Sequence, residues 1–125
     1  MKLYTADIQV DSADNVVSPV RVTIETKPGT GDRMIFKSNR KTVIIVDEND
    51  SPFVGLQPHK VLSEGRGGIT PAARERKLVR PKVTLKIKPK GVVPTKRYKI
   101  LCGRMEGDRF LVWGGGGVST PGIPC

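Results

Sequence analysis

Apolar and polar residues alternate along the first part of the chain. Tyr4, Ala6, Ile8 and Val10 share one face against Thr5, Asp7 and Gln9, and Val20, Val22 and Ile24 stand against Arg21, Thr23 and Glu25. A period of two is that of a β-strand with one face in a core and one in water. The polar connection 11–19 ends in Pro19, and Pro28-Gly29-Thr30-Gly31-Asp32 has the composition of a five-residue hairpin loop leading into a third strand at Met34-Ile35-Phe36. Ser38-Asn39-Arg40 predicts a tight turn into Thr42-Val43-Ile44-Ile45-Val46. That run is β-branched and has no polar face, which predicts a strand covered on both sides at the centre of the core.

From Asp47 to about Leu78 the alternation stops, and prolines and glycines separate scattered apolar positions such as Phe53, Val54 and Leu56. Connections beyond roughly 12–15 residues are uncommon in compact domains and serve as functional loops, arms or flexible segments. One short helix is expected within it, with Thr70 as cap, Pro71 in the first turn and Ala72 to Lys77 following.

Alternation returns with Val83, Leu85 and Ile87 against Lys82, Thr84, Lys86 and Lys88, then with Tyr98, Ile100 and Cys102 against Arg97, Lys99 and Leu101. Glu106-Gly107-Asp108 predicts a hairpin turn into Phe110-Leu111-Val112-Trp113, after which residues 114–125 have the composition of a linker. The expected fold is mainly β: a small antiparallel sandwich or barrel of about seven short strands, with one short helix, a long irregular loop and a flexible C-terminal tail. The expected organisation is a single β domain over 1–113, with 47–78 inserted as a loop or arm, and a Gly-rich tail over 114–125.

Composition narrows the picture. Gly 14 and Pro 10 among 125 residues disfavour long helices, and 5% aromatic content leaves a core of Val, Ile and Leu. The net charge of +10 is local: residues 66–104 hold 13 basic side chains against Glu75 alone, net +12, leaving −2 for the rest. Such a balance predicts a polyanionic partner, either nucleic acid or an acidic protein surface. The N-terminus lacks an apolar run and no stretch approaches a membrane span, so the expectation is a soluble intracellular protein, or a virion component if viral, with no secretory signal and no membrane partner. Two cysteines are too few for a disulfide framework; Cys102 is expected in the core and Cys125 as a terminal thiol.

The strongest chemical signal is charge. If strands 82–88 and 96–102 form a hairpin, Lys82, Lys86 and Lys88 face outward beside Arg97 and Lys99. Directly opposed like charges repel by about 0.2–1 kcal/mol, so their concentration points to a phosphate backbone or acidic protein nearby; the alternative is a solvated face guarding an edge. Only Tyr98 is available there to stack a base, which disfavours sequence-tolerant single-strand binding on that face. Arg74, Arg76, Lys77, Arg80 and Lys82 form a second basic group, with Arg76 and Arg80 about one turn apart on a short helix.

Other motifs are weak. Gly65-Arg66-Gly67-Gly68 lacks the lysine and hydroxyl of a phosphate loop, and Gly114 to Gly117 precedes no helix. Asp47, Glu48, Asn49, Asp50 and Ser51 lack the glycine and distal glutamate of an EF-hand and read as a turn. His59 is the only histidine; a Cys102–His59 dyad would lack an oxyanion turn. No catalytic residue, cofactor, metal or small-molecule substrate is expected.

Two functions follow as expectations. The first is a non-enzymatic structural component of a larger protein assembly, such as a decoration or cement protein of a phage particle, homo- or hetero-oligomeric, docking through its basic face, long loop and tail; the likeness is architectural. The second is a backbone-directed, sequence-nonspecific nucleic-acid-binding protein.

Overall fold

The computed structural model describes residues 3–17, 21–23, 31–61, 68–88 and 97–119; within these, side chains are described except at 21–23, 97 and 115–119. The strands are β1 (Leu3–Ile8), β2 (Arg21–Thr23), β3 (Arg33–Ser38), β4 (Thr42–Val46), β5 (Lys77–Val79), β6 (Lys82–Lys86), β7 (Arg97–Glu106) and β8 (Arg109–Ser119). They form two sheets, one in the order β1-β3-β6 and one in the order β2-β8-β7-β4-β5. This is the expected small β sandwich. Pairing is antiparallel except for β1 with β3 and β2 with β8, which run parallel.

The alternating strands supply the space between the sheets. Tyr4, Ala6 and Ile8 of β1, Met34 and Phe36 of β3 and Leu85 of β6 meet Ile44 and Val46 of β4, Val79 of β5 and Tyr98, Ile100 and Cys102 of β7 in one buried cluster. All five residues of β4 are buried. Val43 and Ile45 face the other way and form a second cluster with Leu101 and Phe110, against which Val61, Ile69 and Met105 pack.

The expected irregular segment after β4 laces the sheets together. Val54 N–H donates to Lys86 O at 2.8 Å and Lys88 N–H to Pro52 O at 2.9 Å, so residues 52–54 line the edge of β6. Phe53 is buried there, edge-on to Phe36 with ring centroids 5.6 Å apart. The chain then returns to β4, where His59 N–H donates to Val46 O at 2.8 Å, and further on Phe110 N–H donates to Ile69 O at 2.7 Å. The described parts of this loop are therefore packed on the protein's own core.

Several expectations need correction. The strands at 82–88 and 96–102 do not form a hairpin: β6 pairs with β3, and β7 pairs with β4 and β8. The reason lies in their faces. β6 is apolar on one face only and suits an edge, whereas Ile100, Leu101 and Cys102 are buried on both faces and suit a place beside β4. Likewise β2 and β3 lie in different sheets, so 28–32 does not join hairpin partners; residues 28–30 lie outside the described residues. The expected helix is a single 3-10 turn, Ala73–Glu75, and Arg76 is already extended, so Arg76 and Arg80 do not share a helical face. The last strand continues through Gly114 to Ser119 as part of β8, and residues 120–125 lie outside the described residues.

The long β7–β8 hairpin turns at Gly107, whose φ of +63° suits glycine in the first central position of a tight turn. Its register shifts once: Cys102 stands opposite Gly114 and Gly103 opposite Val112, leaving Trp113 as the extra, unpaired residue of a β-bulge. A Cβ on Gly103 would lie 1.9 Å from Leu111 O. Gly103→Ala is therefore expected to lower stability by about 1–3 kcal/mol or more, because backbone must move to admit the methyl group; the shift in the urea midpoint measures it.

Candidate anion-binding surfaces

The register of the three-stranded sheet sets the first surface. Its outward residues form three rows across the strands: Leu3, Arg33 and Lys86; Thr5, Ile35 and Thr84; Asp7, Lys37 and Lys82. Arg33 thus stands directly opposite Lys86, and Lys37 opposite Lys82, all four exposed. Two like-charged pairs are held face to face by the ladder, which costs stability; Asp7 stands beside Lys37 and offsets part of that repulsion, whereas the row of Leu3, Arg33 and Lys86 holds no carboxylate. Sequence reasoning identified Lys82 and Lys86 but assigned them β7 as a neighbour; Arg33 and Lys37 were missed because their strand's partner was misassigned.

The remaining expected contacts are dispersed. Lys99 is on β7, in the other sheet, with its ammonium 3.9 Å from buried Asp47. Arg97 opens β7, its side chain outside the described residues. Lys88 follows β6 and is half-buried. Arg74 is exposed on the 3-10 turn, Lys77 is half-buried in β5 opposite Ile44, and Arg80 is exposed before Pro81. Arg76 is half-buried and donates to Pro71 O at 2.8 Å.

The second surface is a groove of about 350 Å³ lined by Arg40, Lys41, Val43, Arg104, Met105 and Trp113. The β3–β4 turn positions its cations. Thr42 Oγ1 donates to Arg40 O at 2.8 Å, the Ser38 hydroxyl lies 2.7 Å from Thr42 Oγ1, and Arg40 N–H donates to Ser38 Oγ at 3.3 Å. Asn39 completes the turn by exchanging two 2.9 Å hydrogen bonds with the Val10 backbone. From this base the Arg40 guanidinium lies over the Trp113 ring, 4.9 Å from its centroid, and pairs with Asp14.

The groups weighed for catalysis or metal binding make contacts within the fold. Burial pushes the Cys102 thiol up to about 12, so it is protonated at neutral pH. Within the 47–51 turn, Asp47 Oδ1 accepts the Val61 N–H at 2.7 Å, Asp50 accepts the Tyr98 hydroxyl at 3.1 Å and Ser51 Oγ accepts the Phe53 N–H at 3.1 Å. Among the described residues no three His, Cys, Asp or Glu side chains gather as metal ligands, and no helix is long and apolar enough to cross a membrane. His59 Nδ1 lies 3.1 Å from Glu75 Oε1, which also accepts the Ala72 N–H at 2.7 Å.

No family model, curated protein or solved structure matches this chain.

Lys86→Glu, which places a carboxylate opposite Arg33, is expected to raise stability by about 0.2–1 kcal/mol, with the gain shrinking as salt is added; thermal melts at low and high ionic strength read both effects. The Ala72 N–H, chiefly, holds the Glu75 carboxyl below its ordinary 4.5; desolvation opposes this, and His59 and Arg74 assist it. Glu75 thus contributes stability that is present above pH 4.5 and lost as pH falls through its lower folded value. Acid titrations of unfolding should show the stability gap between wild type and Glu75→Gln closing over that window.

Proposed function

We propose that this protein is a non-enzymatic assembly component that docks an acidic protein surface through the outer face of its three-stranded sheet. The observation that carries this reading is the pair of like-charged couples, Arg33 with Lys86 and Lys37 with Lys82, fixed on one sheet face. A partner bearing carboxylates relieves the Arg33–Lys86 repulsion, adds to the relief that Asp7 gives Lys37, and makes charge-assisted hydrogen bonds. Between the couples lie Thr5, Ile35 and Thr84, and Leu3 is 55% exposed at one corner. This mixture of cations, hydroxyls and aliphatic groups suits a protein surface. Among the described residues the face offers no aromatic ring on which a base could stack. A decoration or cement protein of a viral particle is the kind of component proposed, on architectural analogy.

The described loop residues bury Phe53 and Leu56 in the protein's own core, which supports assigning docking to the sheet face. A nucleic-acid backbone is the competing polyanion. Fluorescence anisotropy against labelled polyglutamate and a random-sequence DNA duplex, across a salt series, separates the two. The expected result is salt-sensitive polyglutamate binding that disappears in the Arg33→Gln, Lys37→Gln, Lys82→Gln, Lys86→Gln variant. Equal binding by that variant, or no polyglutamate binding at low salt, overturns the reading. Tighter duplex binding, lost in the same variant and with a slope near −0.9 per phosphate engaged, reassigns the face to nucleic acid.

A further inference from the structure

We propose that the groove between the β3–β4 turn and the β7–β8 bulge binds a nucleotide unit, its phosphate held by the surrounding cations and its base stacked at Arg40 and Trp113. The groove lies apart from the sheet face described above and shares none of its residues. Three observations support it.

The first is the lining. Arg40, Lys41 and Arg104 surround Val43, Met105 and Trp113, and an adjoining groove of about 360 Å³ shares Lys41, Val43 and Met105 while adding Ala73, Arg76 and Leu78. Four cations and an apolar floor line the two grooves, and among the described residues no carboxylate lines either. Each volume lies within the roughly 300–1,000 Å³ of small-molecule sites. By contrast, the groove beside Pro81 mixes Asp7 with Lys37 and Lys82.

The second is the bulge. Trp113 is the only tryptophan in the chain and, between Arg109 and Ser119, the one residue that the register leaves without a partner on β7. Such an insertion re-aims a side chain. Glycine borders it on one strand at Gly114, where a Cβ would come 3.1 Å from Val16, and faces it across the ladder at Gly103.

The third is the state of the cations. Lys41 is exposed and makes no ion pair among the described residues. Arg40 and Arg104 pair with Asp14 and Glu106, but with 38% and 48% of their side chains exposed these are surface pairs, which a phosphate dianion can replace or share. The Arg40 guanidinium lies over the Trp113 ring, 4.9 Å from its centroid, and guanidinium and indole groups are both used to stack bases.

The sole tryptophan makes the test direct. Its fluorescence is followed while the full-length protein is titrated with adenosine monophosphate, inorganic phosphate, adenosine and a short oligodeoxythymidylate. A saturable change is expected with the nucleotide, weakened at least about tenfold by Lys41→Gln or Arg104→Gln, with phosphate or adenosine alone binding far more weakly. Arg40→Lys keeps the charge and removes the plane, and should weaken nucleotide binding while leaving inorganic phosphate binding unchanged. The sheet-face variant should bind nucleotide as wild type does, so this proposal and the docking reading stand or fall separately. Tighter binding of the oligonucleotide than of the mononucleotide assigns the unit to a single strand; the reverse assigns it to a free nucleotide. No saturable change with either, or an affinity untouched by Lys41→Gln and Arg104→Gln, overturns the proposal.

Discussion

Strand β4 has no polar face, and the rest of the molecule is arranged to keep water from both of its sides. A fully buried Val or Ile contributes about 1.5–3 kcal/mol relative to an exposed one, so a five-residue run without a solvent face demands two covering layers. The three-stranded sheet supplies one layer, through Phe36, Met34 and their neighbours. Val61 and Ile69, packed against Val43, Ile45 and their sheet neighbours Leu101 and Phe110, supply the other. The segment after β4 is long and irregular because it must reach the edge of one sheet at Phe53 and then the outer side of the other at Ile69. What looks in sequence like a protruding arm is, in its described parts, a third layer.

Satisfying β4 also decides where the charge goes. β7, greasy on both faces over Ile100 to Cys102, lies beside β4 and takes Lys99 with it. β6, greasy on one face, goes to the opposite sheet and carries Lys82 and Lys86 to β3. The basic stretch is thereby dispersed: Lys82 and Lys86 join Arg33 and Lys37 on the sheet face, Arg76 and Arg104 join Arg40 and Lys41 at the grooves, and Lys99 lies on neither. On the sheet face repulsion is built into the register; in the groove cations ring a tryptophan. The different geometries suit different anions: the sheet face a broad acidic surface, the groove a planar, phosphate-bearing unit.

The bulge at Trp113 illustrates how a local irregularity serves both packing and chemistry. Gly103 makes room for the backbone of Leu111 and the ring of Phe110, while Gly114 accepts Val16. Replacing glycine at either point would push on one of the layers covering the core. In sequence the glycines after Trp113 resemble a linker; paired with β7, the run as far as Gly117 is strand, with Ser119 as its last residue.

Alternation alone places the inward faces, because a period of two admits only one set of residues to the core: Tyr4, Ala6 and Ile8, Val83 with Leu85, and Tyr98, Ile100 and Cys102 all lie where it puts them. The sequence by itself also determined the buried character of Thr42 to Val46 and the turns at Ser38 to Arg40 and at Gly107, since these depend on local chemistry. Partnership between strands was legible only weakly, in the contrast between the one-sided apolar face of β6 and the two-sided burial of β7. Which cations share a surface was decided by tertiary structure alone. Alternation says that Arg33 and Lys86 face water, but only the ladder between β3 and β6 says that they face each other. The same holds for Arg40 and Trp113, far apart in the chain, which the β3–β4 turn and a one-residue slip in register bring into contact.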